Sequence, residues 1–116
     1  MNKDLAAFAK KKDVKYFMIS YTDLFGSQRA KLVPTQAIAD MQVEGAGFAG
    51  FATWLDFTPA HPDMLAVPDP SSVIQLPWKP EVAWVAANCI MAGEEVAQAP
   101  RNLLRRLIDN AAAEGM

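Results

Sequence analysis

The chain has 116 residues, a length typical of one domain, and 52% of them are hydrophobic. That share is typical of a packed globular core and excludes an intrinsically disordered chain. Eleven basic and thirteen acidic residues leave a net charge of −2, which offers no electrostatic attraction to nucleic acid or to anionic membranes. The apolar share is high for a small domain, and either a well-filled core or an obligate interface would account for it.

Cysteine usage and the N-terminus indicate the compartment. The single cysteine, Cys89, rules out an internal disulfide and suits a reducing environment. It lies in the apolar run 82–91, which predicts a buried, inert thiol and not a nucleophile. The first residues lack the apolar core of a signal peptide, and no apolar run approaches the roughly 20 residues of a membrane span. We therefore expect a soluble, cytoplasmic protein.

The first 33 residues predict a helix followed by a β-hairpin. An amphipathic pattern predicts a short helix over residues 3–11. The residues on its apolar side are Leu5, Phe8 and Ala9. Residues 14–21 are rich in β-forming side chains and predict a strand. After a turn at Gly26, which can adopt a positive φ, residues 27–33 predict the returning strand.

The segment 45–50, Gly-Ala-Gly-Phe-Ala-Gly, spells the dinucleotide-binding fingerprint G-x-G-x-x-G. The fingerprint has meaning only between a strand and a helix. Here Pro34 opens a predicted helix of about two turns before it, and residues 53–59 after it predict a loop. The inward residues of that helix are Ala37, Ile38 and Met41. The order argues against a dinucleotide-binding protein, so we interpret the glycines as a tight loop.

The middle of the chain predicts irregular structure and then strands. Residues 51–64 have no clean period, and residues 68–71, Pro-Asp-Pro-Ser, predict a turn. Residues 73–76 predict a short strand. Residues 82–91 form the longest apolar run and predict a central strand, although the alanines leave a helix possible.

The C-terminal segment predicts an amphipathic helix. After a turn at residues 93–95, Pro100 fits a first helical position, and Gly115 fits the residue that follows a helix end. The apolar residues that recur at helical spacing are Leu104, Leu107, Ile108 and Ala111. Arg101 and Arg105 lie one turn apart, which suits either an anion site or an ordinary solvated face. Strands grouped with short helices predict a small α+β sheet domain.

Chemistry-bearing motifs are scarce. There is no P-loop, and His61, the only histidine, excludes His-based zinc sites and triads that need a further base. We interpret His61 as a loop residue with a local hydrogen bond. The sequence does not bring any two of the candidate carboxylates, Asp56, Asp63 and Asp69, within reach of each other. The tryptophans could line a ligand site or anchor a core or interface; they are Trp54, Trp78 and Trp84.

The order of the motifs resembles the N-terminal domain of glutamine synthetases, from about residue 14 to residue 116. The matching segments, in order, are Tyr21–Gly26 before a strand, Gly47–Gly50, Asp63-Met64, Pro68–Ser72, Pro77-Trp78 before a strand, and Pro100-Arg101 at the start of a helix. Each motif is weak alone, and their shared order and spacing are specific.

The resemblance implies a β-grasp fold, a small mixed sheet with a helix across it. Residues 1–99 would be that domain, and residues 100–116 a helix leading to a catalytic barrel outside this chain. Family members join ammonia to glutamate through a γ-glutamyl phosphate, using ATP and Mg or Mn that bind the barrel. We therefore expect no cofactor on this chain itself. The implied partners are the catalytic barrel and neighbouring subunits of a ring-shaped homo-oligomer, with no nucleic acid and no membrane.

The resemblance also implies a site. In the family, each active site lies between one barrel and the neighbour's N-terminal loop, which typically reads Phe-Asp-Gly-Ser-Ser and whose aspartate helps bind and deprotonate ammonium. Ala49 stands where the aspartate is expected, and Asp63 matches a downstream acidic position. The implied substrate-facing residues are Phe48, Ala49, Gly50, Phe51, Ala52 and Asp63. No catalytic residue and no metal ligand is implied in this chain.

The missing aspartate leaves two interpretations open. An apolar wall would favour a bulkier or less hydrated amine such as methylamine, because a carboxylate there would favour a small cation. Alternatively, Asp56 or Asp63 takes over the acidic role and ammonia remains the substrate. A stand-alone β-grasp interaction module is a further alternative to an enzyme fragment. We also expect self-association through exposed apolar loop residues, namely Phe51, Trp54 and Phe57.

Overall fold

A computed structural model describes residues 4–116, and within them the chain forms three helices and seven strands. The helices are α1 (Leu5–Lys12), α2 (Ile38–Glu44) and α3 (Pro100–Ala113). The strands are β1 (Tyr16–Thr22), β2 (Gln28–Pro34), β3 (Ala46–Phe48), β4 (Met64–Pro68), β5 (Ile74–Gln75), β6 (Val82–Met91) and β7 (Glu94–Glu95). Short 3₁₀ turns occupy Thr35–Ala37, Gly50–Ala52 and Pro70–Ser72.

The strands form one mixed sheet in the order β2-β1-β6-β4-β3, with β5 and β7 paired to further stretches of β6. β1 and β2 form the predicted antiparallel hairpin, in which Phe17 lies opposite Val33. β1 runs parallel to β6, and the other strands on β6 run antiparallel to it. The arrangement confirms the predicted α+β class.

β6 is a strand and not a helix because it pairs along both of its edges. A strand in that position has no solvated edge, which suits the nearly unbroken apolar run 82–91. Its core-facing side chains are small and fully buried at Ala83 and Ala87. Small side chains there leave room for larger ones from the neighbouring elements, above all Phe17.

The helices α1 and α2 cover one face of the sheet. Asp4 caps α1 by accepting a hydrogen bond from the backbone N–H of Ala6, at 3.0 Å. The residues predicted to face inward do so: Leu5, Ala9 and Ile38 are buried, and Phe8, Ala37 and Met41 pack partly buried against the same core. The predicted start of the first helix at residue 3 lies outside the described residues.

Three segments differ from the sequence predictions. The glycine segment was predicted as a loop, but residues 46–48 form β3, which pairs with β4. The stretch predicted as irregular contains a 3₁₀ turn and ends in Met64, the first residue of β4. The predicted turn at 93–95 is only partly a turn, because Glu94–Glu95 pair with the end of β6. At β3, at Met64 and at residues 94–95, pairing with a neighbouring strand supplies order that local propensity does not indicate.

Asp69 joins the predicted Pro-Asp-Pro-Ser turn to α3. Its carboxylate accepts hydrogen bonds from the Ser71 hydroxyl at 2.6 Å and from the Arg101 guanidinium at 2.5 Å. Arg101 also donates to the side-chain oxygen of Asn88 on β6, at 3.1 Å. The Ser71 hydrogen bonds, aided by the charge of Arg101 and opposed by partial burial, hold the pKa of Asp69 below its usual value. Arg101 is therefore a structural partner of Asp69 and not a free anion-binding group.

No helix within residues 4–116 is both long enough and apolar enough to cross a membrane.

The depressed pKa of Asp69 makes stability depend on pH. Its contribution is complete above the ordinary aspartate pKa of 3.8 and is lost as the pH falls through the lower folded-state value. We expect Asp69→Asn to lower the free energy of unfolding at pH 7 by about 1–3 kcal/mol, because charged hydrogen bonds are lost. In urea titrations the gap between the two proteins should narrow as the pH falls below 3.8. A gap of constant size from pH 7 to pH 2 would contradict this account.

Candidate functional site

The glycine segment lies tightly against β4. Gly45 ends α2 with φ +88°, and a Cβ there would lie 3.0 Å from the Val67 side chain and 3.1 Å from the Ala66 carbonyl oxygen. A Cβ on Gly50 would lie 2.6 Å from the Pro62 carbonyl oxygen, closer than real contacts allow. Gly47 has open space around it. Close approach therefore explains two of the three glycines, and a phosphate cradle explains none of them.

The outer side of this segment faces solvent. Gly50 is buried, whereas Ala49, Phe51 and Ala52 are exposed. Phe48 is half-buried and packs edge-on against the Tyr21 ring, with the ring centroids 5.1 Å apart. We call residues 48–52 the glycine loop. The loop is anchored at its glycine and offers a small, mostly apolar surface.

Strand pairing brings Asp63 to the glycine loop. In the β3–β4 ladder Phe48 lies opposite Met64, so one further step of the register places Ala49 opposite Asp63. The close approach of Gly50 to Pro62 fits the same register. Both Ala49 and Asp63 are exposed. The two positions are therefore neighbours by register, and the sequence prediction that they line one substrate site stays a prediction.

Lys31 on β2 also reaches the glycine loop. Its ammonium donates a hydrogen bond to the Gly47 carbonyl oxygen and lies 5.1 Å from the centre of the Phe48 ring. A cation over a ring face is attracted by the ring quadrupole. No local motif in the sequence indicates Lys31, because its proximity to the loop depends on the hairpin register.

The chain after the glycine loop is held by hydrogen bonds from three separate parts of the fold. The Tyr21 hydroxyl donates to the Thr53 carbonyl oxygen at 3.1 Å. The Leu24 backbone N–H donates to the Trp54 carbonyl oxygen at 3.2 Å. The Gln98 amide donates to the Leu55 carbonyl oxygen at 2.7 Å. Thr53 and Leu55 are fully buried. The segment is therefore fixed, although it contains no regular secondary structure.

Within this fixed segment, the backbone is strained at two residues and aromatic rings are exposed. Trp54 has φ +59° and Asp56 has φ +66°, values that residues other than glycine seldom adopt. Trp54 remains 54% exposed and Phe51 59% exposed. These rings line a concavity of about 420 Å³, and we call its apolar residues the aromatic patch: Leu24, Phe25, Phe51, Trp54 and Phe57. Phe57 was predicted to be exposed, but it is half-buried.

The buried carboxylate of Asp23 holds the turn beside the aromatic patch. Asp23 accepts hydrogen bonds from Arg29 at 2.7 Å and from the backbone N–H groups of Phe25 and Ser27. Burial by itself would raise the pKa of Asp23, but these hydrogen bonds outweigh it and the pKa lies below its usual value. Arg29 in turn lies 5.4 Å from the Trp54 ring centre. The turn between β1 and β2 is thus tied to Trp54.

The other candidate residues have structural surroundings. His61 accepts a hydrogen bond from the Thr58 backbone N–H at 3.0 Å, so the predicted local bond is confirmed. Cys89 is buried, and burial raises the pKa of its thiol to about 12, which confirms an inert thiol. Among the tryptophans, Trp84 is half-buried and Trp78 is 79% exposed, so neither is a core residue.

The described residues do not fit a nucleotide or a metal ion. Within residues 4–116, no three histidine, cysteine or carboxylate side chains come together as metal ligands. The space beside Gly50, where a phosphate would need to approach, is filled by the Pro62 backbone. No chemical step through ATP or a metal can therefore be derived from this chain.

Comparisons with known proteins agree on one family. The chain is 72% identical over all 116 residues to a glutamine synthetase of Rhizobium leguminosarum bv. phaseoli, and it covers 27% of that protein. It is 34% identical over 110 residues to a glutamate–methylamine ligase of Methyloversatilis universalis, of which it covers 25%. No family model matches the chain.

A solved structure shares the fold. A complex of GmaS with ADP superposes with a TM-score of 0.93 at 57% sequence identity, over 96% of this chain and 26% of GmaS. The chain thus spans about a quarter of the length of the relatives it matches. These matches confirm the predicted resemblance and the predicted fold. The chain belongs to the glutamine synthetase family, as an N-terminal region of such a protein.

Proposed function

We propose that this chain is the N-terminal domain of an ATP-dependent ligase that joins glutamate to ammonia or to a small alkylamine. In this proposal the glycine loop and Asp63 form one wall of the amine site, and a catalytic barrel of a neighbouring subunit completes the site. ATP and Mg or Mn would bind that barrel, since the described residues of this chain do not fit them. The domain alone would have no ligase activity.

The proposal rests on the similarity of this chain to GmaS in structure and sequence. A TM-score of 0.93 at 57% identity over 96% of the chain supports the same fold, and with it a similar position of the glycine loop. The relatives named as ligases extend far beyond the matched region, because the chain covers only 25% to 27% of them. Catalytic groups are scarce in this chain, as a supporting domain would lead one to expect.

The placement of the glycine loop suits a wall that a partner completes. Ala49, Phe51 and Ala52 are exposed, whereas the backbone beneath them is anchored through Gly50. A wall that holds its shape before the partner arrives loses little conformational entropy on assembly. Exposed apolar side chains on such a wall are removed from water when the site closes.

The side chains of the loop favour an amine with an apolar part. Ala49 supplies no charge, and Phe51 supplies a ring, so an alkyl group would replace water against both. Asp63, across from Ala49, is the nearest acidic residue in the strand register and could accept the proton that the amine must lose. We therefore favour a small alkylamine over ammonia as the acceptor.

Restoring a carboxylate at position 49 tests the amine preference. In the full-length protein, Ala49→Asp should raise the ratio of kcat/KM for ammonia to kcat/KM for methylamine by about tenfold to a hundredfold. The reason is that a charge-assisted hydrogen bond to ammonium is worth about 1.5–3 kcal/mol, and methylammonium would not make it when its methyl group faces residue 49. The measurement is steady-state amide formation with each amine at saturating ATP and glutamate.

A matched alanine provides the control for that experiment. Ala39 lies exposed on α2, outside the glycine loop, so Ala39→Asp should leave the ratio unchanged. An unchanged ratio in Ala49→Asp as well would remove position 49 from the amine site. Absence of ligase activity in the unsubstituted full-length protein, with either amine, would reject the proposed function itself.

The anchoring of the glycine loop can be tested by stability. Gly50→Ala should lower the free energy of unfolding by about 1–3 kcal/mol, because its Cβ would overlap the Pro62 backbone and force the chain apart. Gly47→Ala is the matched control and should be neutral or slightly stabilising, since nothing lies within 4 Å of its Cβ. Urea unfolding of the three proteins checks the difference. Equal stability of the two variants would show that the loop is not packed as described.

A further inference from the structure

The C-terminal helix is attached to the domain by its polar side. Asn102 is the one residue of α3 that is buried. Its side-chain amide donates to the carbonyl oxygens of Cys89 at 3.0 Å and Val96 at 2.9 Å. Together with the Arg101–Asp69 pair, these bonds fix the first turn of the helix. The orientation of α3 therefore does not depend on its leucines.

The apolar side of α3 faces solvent. We call the four residues on that side the α3 stripe: Leu104, Leu107, Ile108 and Ala111. The exposed fractions of Leu104, Leu107 and Ile108 are 57%, 56% and 57%. An amphipathic helix on a domain surface normally buries this side against its own core. Here the domain binds the helix by its first turn and leaves the stripe unpaired.

The stripe adjoins an apolar trough on the face of the sheet opposite α1 and α2. Leu104 lines a cleft that also includes Trp84 of β6. Trp84 lines the next concavity, of about 530 Å³, together with Ile74 and Trp78, and that concavity has no polar lining. The stripe and the trough therefore meet at one cleft, whose lining also includes the polar side chains of Ser20, Gln28 and Arg101.

The exposed area of the chain is large enough to include an interface. A compact monomer of 12.7 kDa exposes about 6,200 Å², whereas this chain exposes 7210 Å². The surface of the chain is thus about 1,000 Å² larger than is average for its mass.

The end of α3 directs the chain back toward the stripe. Gly115 has φ +82°, and its N–H bonds to the Ala112 carbonyl oxygen at 3.1 Å. The Met116 N–H bonds to the carbonyl oxygen of Ala111 at 2.9 Å. This pair of bonds is the Schellman motif, which reverses the chain at a helix end. Met116 therefore lies beside the backbone of Ala111, a member of the stripe.

We propose that the α3 stripe and the adjoining trough are the docking surface for the polypeptide that follows residue 116 in the full-length protein. The inference rests on the proposed function in one respect, namely that the chain continues into a larger catalytic part. The Schellman reversal favours this occupant over a second copy of the domain, because it brings the following residues to the stripe within the same molecule. The stripe would then fix the catalytic part relative to the glycine loop.

Hydrogen exchange distinguishes the possible occupants. The amides of residues 104–111 should exchange at least tenfold more slowly in the full-length protein than in the 116-residue chain, in which any self-association should leave α3 free. Equal exchange in the two proteins would overturn the proposal. A dimeric 116-residue chain with protected α3 amides would also overturn it, because a second copy would then be the occupant.

Substitutions in the stripe give an independent readout. The double variant Leu107→Gln with Ile108→Gln should lower the Tm of the full-length protein by about 5 °C or more. In the 116-residue chain it should change the Tm little, since both side chains are already in water there. Val43→Gln, at a 78% exposed position on α2, is the matched control and should change neither Tm. An equal change in Tm of the two proteins in the double variant would refute the docking. Missing ligase activity would refute only the proposed function.

Discussion

The fold depends on β6 being paired along both edges while its core side carries small residues. Parallel pairing with β1 and antiparallel pairing with β4 place the hairpin and the glycine segment on opposite sides of one strand. Since both edges are used, the strand cannot shift its register without breaking hydrogen bonds on each side. The position of the glycine loop relative to the β1–β2 turn follows from that register.

The glycine loop and the aromatic patch illustrate how irregular chain can be as fixed as a strand. Tyr21 and Gln98 bond to backbone carbonyl groups that a loop would normally offer to water. The positive φ of Trp54 is maintained because its neighbours on both sides, Thr53 and Leu55, are fully buried. Strain of this kind is typical of surfaces that must present a side chain in one direction.

Much of the fold could be predicted from the sequence, because the decisive signals were local. The β-forming run 14–21, the proline at position 100 and the apolar run 82–91 gave the hairpin, the last helix and the central strand. β3 could not be predicted, since Ala-Gly-Phe has little strand propensity and forms a strand only by pairing with β4. For the site, the resemblance supplied residues 48–52 and 63, whereas Lys31 and the Asp23–Arg29 pair became visible only through the register. Periodicity identified the apolar side of α3 but carried no information on what that side contacts.

Cys89 has a practical consequence. It is the only thiol of the chain and lies on β6, where strands pair on either edge and burial raises its pKa to about 12. A reagent that modifies thiolates can reach it only when the structure around β6 opens, so the rate of its modification reports transient openings of that part of the sheet. The protein thus contains its own reporter of unfolding under native conditions, placed without any engineered label.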